Sequence, residues 1–166
     1  MALIIEDGSI VPGANSFVSV AECRTFCGLR GLTLPTTDPE VEILLIKAID
    51  YLFSIEAKFQ GYRSDTAQEL LFPRDGVVVF GSDVSGEIPA NLKKAQCRLA
   101  FDVSENDLQA TGVDREVIKT KLGPLEKQYA PTGSTNYQFK PTAALSILEP
   151  LFSTAYQGGI NIAIVR

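Results

Sequence analysis

Asp38-Pro39-Glu40-Val41-Glu42-Ile43-Leu44-Leu45-Ile46-Lys47-Ala48-Ile49-Asp50-Tyr51-Leu52-Phe53 is the stretch whose reading decides the fold. Val41, Leu44, Leu45, Ala48, Ile49, Leu52 and Phe53 recur at alternating steps of three and one, so a helix gathers them on one face. Asp38 is an N-cap residue whose carboxylate accepts an orphan amide. Pro39 follows at the first helical position, where its missing N–H is no loss, and Glu40 lies beside the positive end of the helix dipole. The pattern predicts a central core helix that runs on as far as Phe59. A chain organised around it is mainly α.

Further elements extend outward from this helix. Ser19 and Glu22 form a capping box that opens an earlier helix with Ala21, Cys23, Phe26 and Cys27 on its apolar face, closed by Gly28 and Gly31. Leu3-Ile4-Ile5, the turn residues Asp7-Gly8 and Pro12-Gly13, and the stretch up to Val18 read as a short strand, a turn and a second extended piece. Pro89 opens a third helix with Leu92, Ala95, Leu99 and Val103 inward and Lys93, Lys94 and Arg98 outward. Ala90, Ala95 and Ala100 are small enough to let another helix approach closely.

Val117–Leu122 and Leu125–Tyr129 flank Gly123-Pro124 with strand alternation, which predicts a protruding hairpin arm carrying Lys119, Lys121 and Lys127. Pro141 then starts a last short helix through Leu145, Leu148 and Leu151. The expected architecture is a small helical bundle with a β-hairpin arm and an extended C-terminal strand or tail.

That tail is Gly158-Gly159-Ile160-Asn161-Ile162-Ala163-Ile164-Val165-Arg166. The glycine pair reads as a hinge, and the isoleucine- and valine-rich run after it has strand composition. Both faces of the strand are largely apolar, as in a segment covered on both sides. It either joins the chain's own sheet or docks onto another chain. The docking reading divides the chain into a domain over 1–157 and a docking tail over 158–166.

Composition narrows the function. The 166 residues suit one domain, and 45% hydrophobic with 21% charged residues is the balance of a globular protein. No apolar run approaches the ~20 residues of a membrane span, and Met1–Asp7 lacks the basic flank of a signal peptide, so no membrane partner is expected. Histidine is absent, which removes the commonest general base and metal ligand. Cys23, Cys27 and Cys97 read as small core residues in a reducing compartment. A net charge of −5 disfavours broad nucleic-acid binding. It suits a surface past which DNA slides without sticking.

No phosphate-binding glycine loop, nucleophile elbow or Ser-x-x-Lys appears. The spacing of Asp75, Asp83 and Glu87 fits no ion-binding loop. Catalysis, cofactor and metal are therefore not expected. Residues 60–88 carry little periodicity, with Gly76–Gly81 a short strand inside a long loop of the kind that is usually functional. Within it Phe72 and Pro73 anchor the loop. Arg63 and Arg74 either tie it to carbonyls and carboxylates or form an anion site.

Four groups of motifs occur here in the order found in a family of tailed-phage proteins. They are Leu3–Gly8 with Asn15–Ser19; Gln60–Arg63 with Gln68–Gly76; Ile88-Pro89; and Lys121–Glu126 with Tyr129. The chain resembles that family over residues 1 to about 152. Its members are encoded among head and tail genes and are often labelled DnaT-like single-stranded-DNA-binding proteins. An aromatic residue, often tryptophan, stands where this chain has Phe72, and the tail exceeds the common family length.

By genome context the resemblance implies a head-tail connector, or adaptor, of the virion neck. Such proteins form homo-oligomeric rings of about twelve copies that join the portal protein to a tail or second neck protein. The ring would line the conduit for double-stranded DNA without binding it specifically, after assembly in the host cytoplasm. The tail residues Ile160 to Arg166 would then dock on the portal. The alternative is a single-stranded-DNA-binding replication accessory protein, with Lys93, Lys94, Arg98, Lys119 and Lys121 as its contacts. Against that alternative stand the absence of tryptophan, the 8% aromatic content and the negative charge.

Overall fold

Among the described residues, four helices form where apolar spacing predicts them, and one of them, the first, has a side-chain cap. The computed structural model describes residues 3–106 and 140–154, together with the backbone of 117–121 and 126–129. Helix α1 spans Val20–Gly28, and its Ser19–Glu22 capping box is present in both directions. Helix α2 spans Asp38–Ser54 and buries Val41, Leu44, Leu45, Ala48, Ile49 and Leu52. Its N-cap is Thr37 rather than Asp38, and it stops short of Phe59, giving way to a 3₁₀ turn at Glu56–Lys58. The Asp38 carboxylate is engaged elsewhere, accepting from Arg24 Nε at 3.1 Å and Nη2 at 2.9 Å. Arg24 also donates to the Pro35 and Thr36 carbonyls, so it clamps the connection between the two helices.

Helix α3, Ala90–Glu105, begins after Pro89, and α4, Thr142–Leu148, begins after Pro141 and continues into a 3₁₀ turn at Glu149–Leu151. The core lies where α3 meets α1, α2 and α4. Ala95 and Ala100 are fully buried there, and small side chains at such a contact let helix axes approach. Val103, expected inward, is half-buried. Gln96 is a buried polar residue of this core and is fully bonded. Its Oε1 accepts from the Phe17 amide at 2.9 Å, while Nε2 donates to Ser16 Oγ at 2.9 Å and the Leu45 carbonyl at 3.2 Å. One side chain thus joins the N-terminal segment, α2 and α3, and leaving its groups unpaired would cost about 1–3 kcal/mol each. The buried Glu6 carboxylate similarly gathers the amides of Gly8, Ile10 and Val11 into the first turn.

Among the described residues, three two-stranded antiparallel ribbons accompany the helices, so the architecture is mixed α and β rather than a mainly helical bundle. Tyr62–Arg63 (β1) pairs with Arg74–Asp75 (β2), and Val78–Val79 (β3) pairs with Ser82–Asp83 (β4). Both lie in the stretch expected to be a loop with a lone strand. They are too short to carry a period-2 pattern, and tertiary anchors hold them instead. The hairpin arm is formed by Val117–Lys121 (β5) and Glu126–Tyr129 (β6), with Lys119 opposite Gln128 and Lys121 opposite Glu126. The tail 158–166 and the boundary at 157 lie outside the described residues.

Candidate docking surface and cationic side chains

The segment from Glu56 to Glu87 is built around a carboxylate with two guanidinium partners. Arg63 grips Glu56 with both arms, Nε to Oε1 and Nη2 to Oε2, each at 2.7 Å. Arg74, 6% exposed, reaches the same carboxylate at 3.2 Å and donates to the Gln60 and Gly61 carbonyls at 2.8 Å. Hydrogen bonding from Arg63, reinforced by the charge of both arginines, holds the Glu56 carboxyl below its ordinary value. Burial pulls the Arg74 guanidinium down and Glu56 opposes it. Arginine suits this place because one planar fork meets a carboxylate and several carbonyls at once.

Phe72 is 1% exposed, edge-on to Phe59 with centroids 5.5 Å apart, and Phe59 in turn contacts Phe152. The Phe72–Pro73 peptide is cis. Gln68 completes the anchor by donating to the carbonyls of Leu70 and Pro73. Phe72, Pro73 and Arg74 are thus all interior in this segment, and both arginines face internal acceptors.

On this anchored base the β3–β4 ribbon presents its turn, Phe80-Gly81, to solvent. Both residues have positive φ, 49° and 82°, the geometry of a two-residue hairpin turn usually filled by Asn-Gly or Gly-Gly. A bulky aromatic held in the left-handed region is an outlier. Phe80 is nevertheless 86% exposed, beside Val78 at 49%, and Tyr62 on the neighbouring ribbon is 68% exposed. Phe80 and Val78 border an open cleft of about 790 Å³ whose other walls include Gln60, Ser146, Pro150, Ser153 and Thr154. None of these aromatics was singled out from sequence. The available signal was an aromatic directly before Gly81 where a turn formally asks for Asn or Gly.

Three of the five cationic candidates have described side chains, and each sits in different surroundings. Lys94 is exposed on α3, with no ion pair among the described residues. Lys93 is half-buried in a polar recess with Asp7 and Glu87. Arg98 pairs with the buried Asp102 at 3.1 Å and lies over the Phe101 ring. Burial pushes the Asp102 carboxyl up, although Arg98 pulls the other way. Lys119 and Lys121 belong to β5, whose backbone alone is described.

The three cysteines are free and buried. A hydrogen bond with Cys27 lowers the Cys23 thiol, but the Cys97 thiol and burial outweigh it and push it up to about 12. Bonding to Cys23 and burial push Cys27 up as well. Thiols held protonated are poor nucleophiles. Among the described residues no group of three His, Cys, Asp or Glu is placed to hold a metal ion, and no helix is long and apolar enough to cross a membrane.

The family model described as "Putative DnaT-like ssDNA binding protein" matches residues 1–166. The match therefore runs through the tail, which falls within the family's span rather than beyond it. Comparison with curated proteins and with solved structures finds no match.

Proposed function

The chain belongs to the family described as putative DnaT-like single-stranded-DNA-binding proteins, and on that premise we propose that it binds single-stranded DNA as a non-catalytic accessory protein. Of the two readings raised from sequence, the family description favours this one over the virion adaptor. The observation that carries it in the structure is Phe80, a strained and exposed aromatic at a ribbon tip. Single-strand binders stack bases on such rings and follow the backbone with cations. Tyr62 offers a second ring, while Lys94, Lys119 and Lys121 are the candidate phosphate contacts. Arg98 leaves that set because Asp102 holds it, and Lys93 leaves it because acidic side chains share its recess.

Three phosphate contacts on a single strand correspond to a salt slope of about −2. Fluorescence anisotropy with a labelled oligonucleotide should show that slope and an affinity on the order of micromolar, between non-specific contact and tight stacking. Phe80→Ala should weaken binding about tenfold, and joint replacement of the three lysines by alanine should abolish the slope. Binding no tighter than about 10⁻⁴ M, unchanged by either variant, would refute the proposal.

A second reading, a structural adaptor ring subunit between portal and tail, draws on the occupied arginines. Arg24, Arg63, Arg74 and Arg98 all pair with carboxylates, which commits four of the cations of a chain with net charge −5 to internal partners. Co-purification with portal-containing particles tests it.

A further inference from the structure

In the last turns of α3, Asp102 is 3% exposed, and its Oδ1 accepts from Arg98 Nε at 3.1 Å. Its second oxygen, Oδ2, is buried without a hydrogen-bond partner among the described residues. A buried carboxylate ordinarily collects several donors, because an unmet oxygen loses its hydration and gains nothing in return. The other two acids of the interior do so. Glu6 accepts from the amides of Gly8, Ile10 and Val11, and Glu56 accepts from Arg63 Nε and Nη2 and from Arg74 Nη1. Asp102 stands apart from both.

Its charged surroundings are sparse. On α2, Tyr51 is close enough to feel the Asp102 charge; burial and that charge push its phenol up, so it stays neutral. Helix α4 carries no ionisable side chain. Those of α1 are engaged elsewhere: Arg24 with Asp38, Glu22 with the Ser19 cap, and Cys23 and Cys27 with one another. Arg98, on α3 itself, is the countercharge. Burial pushes the Asp102 carboxyl up against the pull of Arg98, so it takes a proton at a higher pH than an exposed aspartate does.

Arg98 lies one helical turn beyond the exposed Lys94, so the two cations share a face of α3. Its guanidinium sits 5.2 Å from the centre of the Phe101 ring, and its side chain is 27% exposed. We propose that Asp102 is a proton-operated gate on Arg98: the charged carboxylate holds the guanidinium, and the protonated carboxyl releases it to a phosphate beside Lys94. This rests on the single-stranded-DNA reading and supplies its regulation. The proton comes from solvent and returns to it. A neutral carboxyl also costs less to keep buried than a carboxylate with one oxygen unmet, so protonation relieves Asp102 as it frees Arg98.

Anisotropy of a labelled single-stranded oligonucleotide with the full chain, at about pH 8 and at about pH 5, reads the gate, since an exposed aspartate is still mostly charged at the lower value. Wild type should gain one phosphate contact on acidification. The salt slope then steepens from about −2 to about −3, and affinity at about 0.1 M salt rises about fivefold. Asp102→Asn should show the steep slope at both pH values. Asp102→Asn combined with Arg98→Gln, which leaves no buried charge unpaired, should keep the shallow slope at both. On the free protein, the Arg98 Nε–H NMR signal should move between the two pH values in wild type and stay in place in Asp102→Asn. An unchanged wild-type slope, or the same steepening in the double variant, overturns the gate and leaves the DNA reading standing. No binding at either pH removes the DNA reading and the added contact with it. An Arg98 signal that ignores pH overturns the gate whether or not DNA binds.

Discussion

Glu56 shows how much one side chain can organise. Its carboxylate holds Arg63 and the buried Arg74, and through them the carbonyls of Gln60 and Gly61. Glu56→Gln would leave Arg74 buried beside a neutral amide. Breaking a fully buried pair costs about 3–5 kcal/mol; with Glu56 a quarter exposed, a loss of about 2–3 kcal/mol is expected. The pH dependence has a definite sign. The carboxyl of Glu56 is held below its ordinary value, so its contribution is present above the unfolded pKa and is lost as pH falls through the folded one. Denaturant unfolding across the acid range should show wild type and variant converging. A stability difference that persists in strong acid would count against this assignment.

Phe72 and Lys94 give a contrasting pair at the same scale. Phe72→Ala removes a ring buried against Phe59 and should cost about 3–5 kcal/mol. Lys94→Ala, on an exposed helix position, should change stability by less than about 0.5 kcal/mol. The same unfolding measurement compares them, and equal losses would mean the core is misplaced.

The short ribbons depend on close backbone approach more than on side-chain pairing. Where β1 and β2 begin to separate, Gly61 has φ +65°, and a Cβ there would lie 1.9 Å from the Asp75 carbonyl oxygen. Gly61→Ala therefore combines an unfavourable backbone conformation, about 1–2 kcal/mol, with a clash against main chain that cannot turn aside. The ribbon should open, visible as faster amide exchange at Ser64, whose N–H bonds the Pro73 carbonyl, while α2 and α3 stay protected. Unchanged exchange at Ser64 would show that the ribbon does not need this contact.

At the scale of the whole molecule, the hydrophobic core of the described residues runs from Ala14 to Phe152. Removal of 158–166 should then leave the cooperative thermal transition close to that of the full chain, within about 2 °C, since the buried residues from Ala14 to Phe152 already supply a core. Scanning calorimetry of both proteins decides it. A large drop would make the tail part of the core. The mixed architecture has the same origin as this expectation. Helices packed on α3 provide the stability, and the ribbons are carried on them as a presented surface.

The sequence by itself determined the helices and the hairpin arm, because periodicity, capping boxes and prolines act over a few residues and need no distant partner. Ser19 with Glu22, the apolar face of α2 and the starts after Pro89 and Pro141 were all legible in this way. Tertiary structure decided the rest. Thr37 is the N-cap of α2 while Asp38 pairs with Arg24, and α2 ends at Ser54, just before the Glu56 cluster. The β1–β2 ribbon formed in a stretch without periodicity where Arg63 and Arg74 meet Glu56, and β3 is held beside it by the Val78 amide bonded to Gln60 Oε1. Arg98 pairs with the buried Asp102, Lys93 shares a recess with Asp7 and Glu87, and Phe80 stands exposed on a positive-φ turn. The i,i+4 pairing of Arg98 with Asp102 and the turn at Phe80-Gly81 lie within local reach, whereas the Arg24–Asp38 and Glu56–Arg74 contacts join residues 14 and 18 positions apart, and local spacing carries no record of such partners.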